Sequence, residues 1–127
     1  MHVLFVDDNP LMQQVISRFL MSQGYMVTIA DSAEQALHLT RHEQYHLMVI
    51  DMRLPDRDGP DLLQALRQEP GMACCPAIAV SGLGEDDRER TVLAGFDAFL
   101  SKPIDLDELL AAVRRYVDTD RARAFGV

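Results

Sequence analysis

The sequence contains only two cysteines, Cys74 and Cys75, and they are adjacent. Neighbouring cysteines rarely pair with each other, and two residues supply neither a disulfide framework nor a four-cysteine metal site. The chain also lacks any run of about 18 apolar residues, the length that a membrane-spanning helix requires. Its N-terminal apolar run is too short for a signal peptide and leads directly into acidic residues. These absences predict a cytoplasmic protein with no membrane segment and with reduced cysteines.

Positive charge is also scarce. The 127 residues include 12 lysines and arginines against 20 aspartates and glutamates, so the net charge is −8. Arginines gather between positions 114 and 123, but Asp118 and Asp120 interrupt them, and cations are favourable at a helix C-terminus in any case. Nucleic-acid binding without sequence preference requires a basic face. We therefore expect no direct binding of nucleic acid.

The sequence does contain a regular alternation of short apolar runs and longer amphipathic segments. The short runs have strand length and cover residues 2–6, 25–30, 46–50, 76–80 and 97–100. The helix starts are marked by Asn9 with Pro10, Ser32 with Gln35, Pro60, and Asp105 with Glu108, and two helix ends by Gly24 and Gly95. Five strands alternating with five helices predict one α/β domain around a parallel sheet. That domain should cover residues 1–118, with 119–127 as a tail or the start of a linker.

Polar side chains follow four of the five predicted strands. The first strand leads into Asp7 and Asp8, the third into Asp51, the fourth into Ser81, and the fifth is followed by Lys102. Taken singly, these residues could be a helix N-terminus, a turn acid or part of a surface turn. In an open α/β sheet, however, ligands bind beyond the carboxyl ends of the strands. Their joint placement therefore predicts one functional site at that edge.

The chemistry of this set is restrictive. Carboxylates in close contact repel by about 4 kcal/mol per pair at an effective dielectric constant of about 20. Lys102 and a hard divalent cation would relieve the repulsion, and Mg²⁺ suits a site with few protein oxygens and several waters. A phosphoryl group could then contact the metal, Lys102 and the Ser81 hydroxyl. An ionised aspartate can itself be the nucleophile in phosphoryl transfer, where catalysis is mostly positioning and charge neutralisation. The glycine-rich stretch that follows Ser81, at positions 82–84, permits close approach and movement.

The motifs "LFVDDNP", "VIDMRLPDRDG", "IAVSG" and "AFLSKP" occur in this order, and with them residues 2 to about 118 resemble the receiver domain of two-component response regulators. The resemblance implies a doubly wound, flavodoxin-like (βα)5 fold with a five-stranded parallel sheet of order 2-1-3-4-5. It implies a signalling switch that assists its own phosphorylation and dephosphorylation, and not an enzyme with a separate substrate. The motif with two aspartates and Asn9 is similar to receivers of hybrid histidine kinases, although stand-alone regulators also carry it.

The resemblance also implies a role for each site residue. Asp51 would accept a phosphoryl group from a phosphohistidine on a sensor histidine kinase or a histidine phosphotransfer protein. Asp8 and Asp51 would bind Mg²⁺ directly, Asp7 through a water molecule, and Arg53 through its backbone carbonyl. Ser81 and Lys102 would hold the phosphoryl oxygens. These roles are what membership of the family would assign to these positions.

Phe99 matches the aromatic switch residue of the family. The implied mechanism is that Ser81 moves toward the phosphoryl group and leaves space that Phe99 fills, which remodels the face made by the fourth helix, fifth strand and fifth helix. That face would then bind an output domain, another partner or a second copy of the chain. Arg53 is an unusual residue two positions after the acceptor, where it could pair with an acid or reach the phosphoryl group. The lifetime of the phosphoryl group and the identity of the kinase are therefore left open.

Three other classes of protein share part of this pattern. A phosphatase of the haloacid-dehalogenase type needs a second acid where this chain has Arg53. A calcium loop around "DRDG" would place Leu54 and Ala65 at ligand positions, which neither side chain can fill. The remaining alternative is a receiver-like module that binds partners without phosphorylation, although all five site positions are intact.

Overall fold

The computed structural model describes residues 1–82 and 85–124. Strands and helices alternate along them in the following order: β1 (His2–Val6), α1 (Pro10–Ser22), β2 (Met26–Ala30), α2 (Ala33–His42), β3 (Leu47–Asp51), α3 (Gly59–Leu66), β4 (Ala77–Ser81), α4 (Glu85–Ala94), β5 (Ala98–Ser101) and α5 (Leu106–Ala124). The predicted alternation of five strands and five helices is confirmed.

All strand pairs of the sheet are parallel, and the strand order is β2-β1-β3-β4-β5. The predicted order is therefore confirmed. After β2 the chain returns to the other side of β1, so the strand order reverses between β1 and β3. Ligands of such sheets bind beyond the carboxyl ends of the strands at this reversal. The residues that follow β1 and end β3 accordingly border the crevice where a site is expected.

Helices cover both faces of the sheet and make two apolar cores. Leu4 and Val6 of β1 point into a core shared with α2 and α3. Val3 and Phe5, which alternate with them, point into a second core shared with α1 and α5. Each of these four side chains is fully buried. Burial on both faces explains why the strands are continuous apolar runs without polar alternation.

The strand and helix boundaries differ slightly from the predicted ones. β3 and β4 each continue one residue past the apolar run and include Asp51 and Ser81, which pair with Val80 and Ser101 across the sheet. Backbone hydrogen bonds, and not side-chain polarity, decide where a parallel strand ends. The two polar side chains thus project from the sheet itself. α3 begins at Gly59, one residue before the proline that was expected to start it.

The helix caps largely follow the sequence. The Asn9 side chain accepts hydrogen bonds from the first turn of α1, and Gly24 closes that helix with a φ of +94°, a conformation that favours glycine. Ser32 accepts a hydrogen bond from the Gln35 amide, as a capping box requires. In a complete capping box, the Gln35 side chain would accept a hydrogen bond from the backbone amide of Ser32. Here it accepts one from the backbone amide of Asp31 instead, at 2.6 Å.

The C-terminal segment of the described chain belongs to α5, which runs on to Ala124. The predicted domain end at residue 118 stays a prediction, and residues 125–127 lie outside the described residues. Two of the three positions in the glycine-rich stretch expected to permit movement after Ser81, 83 and 84, also lie outside them. Within the described ranges, no helix has the length and apolar character to cross a membrane.

Candidate functional site

Three carboxylates converge where β1 and β3 end. Asp7 directly follows β1 and is fully buried, Asp8 is exposed, and Asp51 is the buried last residue of β3. One carboxylate oxygen of each lies within 4.8 Å of the others. The sequence-based expectation that these residues come together is thus met in the geometry. We call Asp7, Asp8, Asp51 and the neighbouring Lys102 the acidic cleft.

Lys102 is the cation of the acidic cleft. Its Nζ donates a hydrogen bond to Asp51 Oδ2 at 2.8 Å and lies 3.8 Å from Asp7 Oδ2. Burial alone would lower the pKa of Lys102, but the hydrogen bond to Asp51 and the negative charges of the cleft outweigh it and raise the pKa. The lysine therefore stays protonated and compensates one of three nearby negative charges.

Asp51 is held in place from two sides. Its Oδ2 accepts from Lys102, and its Oδ1 accepts from the backbone amide of Arg53 at 3.0 Å. The loop after β3 folds back closely over this strand end. A Cβ at Gly59 would lie only 3.0 Å from the Asp51 carbonyl oxygen. The absence of a side chain at Gly59 is therefore a local requirement of the site.

Asp7 is a buried carboxylate of the cleft, and within the described residues only one of its two side-chain oxygens is hydrogen-bonded. Its Oδ1 accepts from the Asn9 amide at 2.9 Å. Among the described residues, its Oδ2 is a buried side-chain oxygen that has no hydrogen-bond partner. Burial raises the pKa of the Asp7 carboxyl, and the charges of Asp51 and Asp8 add to the rise. Such an oxygen is suited to accept a ligand, because an unsatisfied buried acceptor is energetically costly.

Ser81, at the end of β4, lies at the same edge of the sheet. Its hydroxyl donates a hydrogen bond to Oδ2 of Asp87, the third residue of α4. Oδ1 of Asp87 accepts from the Arg53 guanidinium at 3.0 Å and pairs with Arg90 at 3.4 Å. Of the two partners that the sequence allowed for the Arg53 side chain, the structure thus shows an acid.

Asp87 is the residue that sequence reasoning missed. It is buried, although it lies within the strongly polar segment "EDDRER". Burial would raise the pKa of its carboxyl, but the hydrogen bond from Ser81 and the charges of Arg53 and Arg90 lower it below the ordinary value. A segment with six consecutive charged residues gives no signal of which one faces inward. We call Asp87, Ser81, Arg53 and Arg90 the Asp87 network.

Phe99, in the middle of β5, is partly buried and packs against the core beneath α2 and α3. The guanidinium carbon of Arg88, the residue after Asp87, lies 5.1 Å from the centre of the Phe99 ring. This distance is within the range of a cation–π contact. α4 therefore contacts both Ser81 and Phe99, the two residues for which the family resemblance implies a switching role.

Comparison with known proteins identifies the class. The family described as response regulator receiver domain matches residues 3–114. The chain therefore belongs to this family of signalling modules. It is 36% identical over 117 residues to an uncharacterized 14.6 kDa protein from the sodA1 3′ region of Leptolyngbya boryana, covering 91% of this chain and 89% of that protein.

The chain is also similar to a transcriptional regulator and to the receiver domain of a sensor histidine kinase. The cell cycle transcriptional regulator CtrA of Caulobacter vibrioides is 31% identical over 128 residues, covering 100% of this chain and 54% of CtrA, so this chain spans about half the length of that relative. The receiver domain of sensor histidine kinase PA1611 from Pseudomonas aeruginosa has a TM-score of 0.84 and 32% identity, with 92% of this chain and 97% of that chain covered. Its structure has a magnesium ion coordinated in the active-site cleft.

Proposed function

We propose that this chain is a phosphoacceptor receiver domain in which Asp51 accepts a phosphoryl group. The observation that carries the proposal is the position of Asp51, a buried carboxylate at the end of β3 that is held by Lys102 and flanked by two more acids. The donor is a phosphohistidine on a sensor histidine kinase or a histidine phosphotransfer protein, and we expect the reaction to take place in the cytoplasm. Membership of the receiver family supports this assignment.

The cleft fits a magnesium ion. Its donors are all oxygens, one from each of three carboxylates that lie within 4.8 Å of one another. Within the described chain, the buried Asp7 Oδ2 has no hydrogen-bond partner, so it is available to a ligand. Asp8 and Asp51 would bind the ion directly, Asp7 through water, and Arg53 through its backbone carbonyl. When bound, Mg²⁺ neutralises the carboxylates and the phosphoryl oxygens.

The chain's own residues position the reaction. An oxygen of Asp51 attacks phosphorus as the phosphorus–nitrogen bond breaks, and the histidine of the donor leaves with the bond's electron pair. Lys102 already lies against Asp51 and would pair with a phosphoryl oxygen. The Ser81 hydroxyl would donate to another. No separate base is needed, because the attacking carboxylate is ionised.

Phosphorylation would act through Ser81 and Phe99. The movement of Ser81 toward the phosphoryl group would let Phe99 turn inward. This would remodel the face formed by α4, β5 and α5. The partly buried position of Phe99 supports the proposal, because the ring is neither fully packed nor free. That face would bind an output domain, another partner protein or a second copy of the chain.

Intact-mass spectrometry tests the proposal. The protein is incubated with Mg²⁺ and acetyl phosphate, with and without EDTA. We expect wild type to gain one phosphoryl group only when Mg²⁺ is present, and Asp51→Asn to gain none. Asp61→Asn, which changes an exposed acid in the first turn of α3, is the matched control and should behave as wild type.

The alternative is a module that binds partners without phosphorylation. A folded wild-type protein that binds Mg²⁺ yet gains no phosphoryl group from acetyl phosphate or a phosphohistidine donor would favour it over our proposal. Phosphate-ester turnover by wild type would instead indicate a phosphatase.

A further inference from the structure

The Asp87 network joins α4 to the loop that carries Arg53 and to the end of β4. Asp87 is 1% exposed, and both of its carboxylate oxygens are used: Oδ2 accepts from Ser81, and Oδ1 pairs with Arg53 and Arg90. Hydrogen bonds to a charged group are stronger than neutral ones, more so when the group is buried. The contact therefore fixes the position of the Ser81 hydroxyl in this structure.

We propose that Asp87 is a positioning residue that competes with the phosphoryl group for Ser81. The inference rests on the proposed phosphorylation of Asp51. In the unphosphorylated protein, Asp87 holds the hydroxyl on the α4 side. Phosphorylation of Asp51 supplies a second anionic acceptor, and Ser81 leaves Asp87 to reach it.

Asp87 and the phosphoryl group compete because Ser81 has only one hydroxyl proton to donate. A serine hydroxyl carries a single proton and can donate it to one acceptor at a time. Donation to Asp87 and donation to a phosphoryl oxygen on Asp51 are therefore alternatives. The free energy of the first bond is lost when the second forms, so Asp87 weakens the phosphorylated state relative to a chain without this carboxylate.

Arg53 is part of the same competition. Its backbone amide binds Asp51, so its guanidinium originates directly beside the acceptor, yet the side chain pairs with Asp87. A phosphoryl group at Asp51 would present a second anion to this cation, on the side of the acceptor. Transfer of Arg53 to the phosphoryl group would remove a second contact from Asp87 and would stabilise the modified site.

The release of Ser81 from Asp87 would directly affect the contacts of α4. Arg88, which follows Asp87, covers the ring of Phe99, and Arg90 also pairs with Asp58 at the start of α3, at 3.2 Å. When Ser81 leaves Asp87, the first turns of α4 lose an anchor to the sheet but keep the one to α3. The same short segment of α4 thus contacts both residues that change in the proposed switch.

The first test measures the affinity for beryllofluoride, formed from beryllium chloride and sodium fluoride, which mimics a phosphoryl group on a carboxylate. It is titrated at saturating Mg²⁺ into wild type, Asp87→Asn and Asp58→Asn. Asp87→Asn should bind about fivefold more tightly, because a neutral amide holds Ser81 less strongly than a carboxylate does. Asp58→Asn removes the same charge beside the same Arg90 without touching Ser81, and its affinity should stay within about twofold of wild type.

A gain in affinity distinguishes positioning from a merely structural role, because structural damage weakens binding. Equal or weaker binding by a folded Asp87→Asn variant overturns the proposal, and so does an equal gain in Asp58→Asn. In a Ser81→Ala background the gain from Asp87→Asn should shrink, because there is no hydroxyl to release. An undiminished gain there would show general electrostatics instead of competition.

A second measurement needs neither a variant nor catalysis. Amide hydrogen exchange of wild type should accelerate in the peptide covering α4 when beryllofluoride binds, and metal-free Asp87→Asn should show the same acceleration without ligand. Unchanged exchange in α4 of the saturated wild type would contradict the proposal. Failure of wild type to bind beryllofluoride at all would instead count against phosphorylation of Asp51, and exchange in metal-free Asp87→Asn would still report on the network.

Discussion

Asp7 and Asp87 are equally buried aspartates in opposite electrostatic surroundings. Asp7 is 0% exposed and Asp87 is 1% exposed. Asp7 shares its cleft with two more carboxylates and a single lysine, and its pKa is raised. Asp87 has a hydroxyl and two guanidiniums as partners, and its pKa is lowered. Burial alone therefore does not decide the direction in which the pKa of an aspartate shifts, because the partners of the carboxylate also contribute.

The comparison separates two kinds of site. The acidic cleft has an excess of negative charge and an oxygen on Asp7 without a hydrogen-bond partner in the described part of the chain, so it is suited to receive a cation. The Asp87 network has both carboxylate oxygens of Asp87 satisfied, so it is suited to hold its members until a stronger anion competes. In our account, the acidic cleft binds Mg²⁺ and the phosphoryl group, and the Asp87 network then releases Ser81.

The largest expected difference between the regions concerns metal affinity. Asp7→Asn should weaken Mg²⁺ binding about 10- to 100-fold, since it removes a charge and a supporting ligand of the cleft. Asp87→Asn should leave the affinity within about twofold of wild type, because Asp87 belongs to the other region. Isothermal titration calorimetry measures both. Equal losses in the two variants would mean that the regions form one electrostatic unit.

The next difference concerns stability without metal, where the same substitution should have opposite signs. Asp7→Asn should raise the free energy of unfolding by about 1 kcal/mol, because it removes repulsion with Asp51 and Asp8. Asp87→Asn should lower it by about 1–2 kcal/mol, because a charge-assisted network becomes neutral. Urea unfolding in EDTA measures both values. Destabilisation by Asp7→Asn would show that Lys102 fully compensates the cleft.

The smallest expected difference concerns pH. The pKa of Asp7 is raised from 3.8, so the folded state binds the proton more tightly and metal-free stability should fall as pH rises from 3.8 through the folded value. The pKa of Asp87 is lowered from 3.8, so its contribution is present above 3.8 and should be lost as pH falls through the folded value. Each Asn variant should lose the pH dependence that its aspartate contributes, which changes the free energy of unfolding by under about 1 kcal/mol. Urea unfolding at a series of pH values in EDTA measures this, and profiles unchanged by both variants would contradict the assignment.

The fold and the acidic cleft could be predicted because their signals are local. Apolar runs give the strands, capping residues give most helix ends, and Asp7, Asp51 and Lys102 lie at the ends of strands that meet at one edge of the sheet. The Asp87 network could not be predicted. Its central acid lies in a helix whose first six residues are all charged, and only the packing of α4 against the end of β4 buries that side chain and aligns it with Ser81.

Localisation of the phosphoryl group tests the central claim most directly. After incubation with Mg²⁺ and acetyl phosphate, reduction with borohydride converts a phosphorylated aspartate to homoserine, which peptide mass spectrometry assigns to a position. We predict homoserine at position 51 and at no other aspartate, including Asp7, Asp8 and Asp87. Homoserine at a different position, or none in a folded protein saturated with Mg²⁺, would contradict the assignment of Asp51 as the phosphoacceptor.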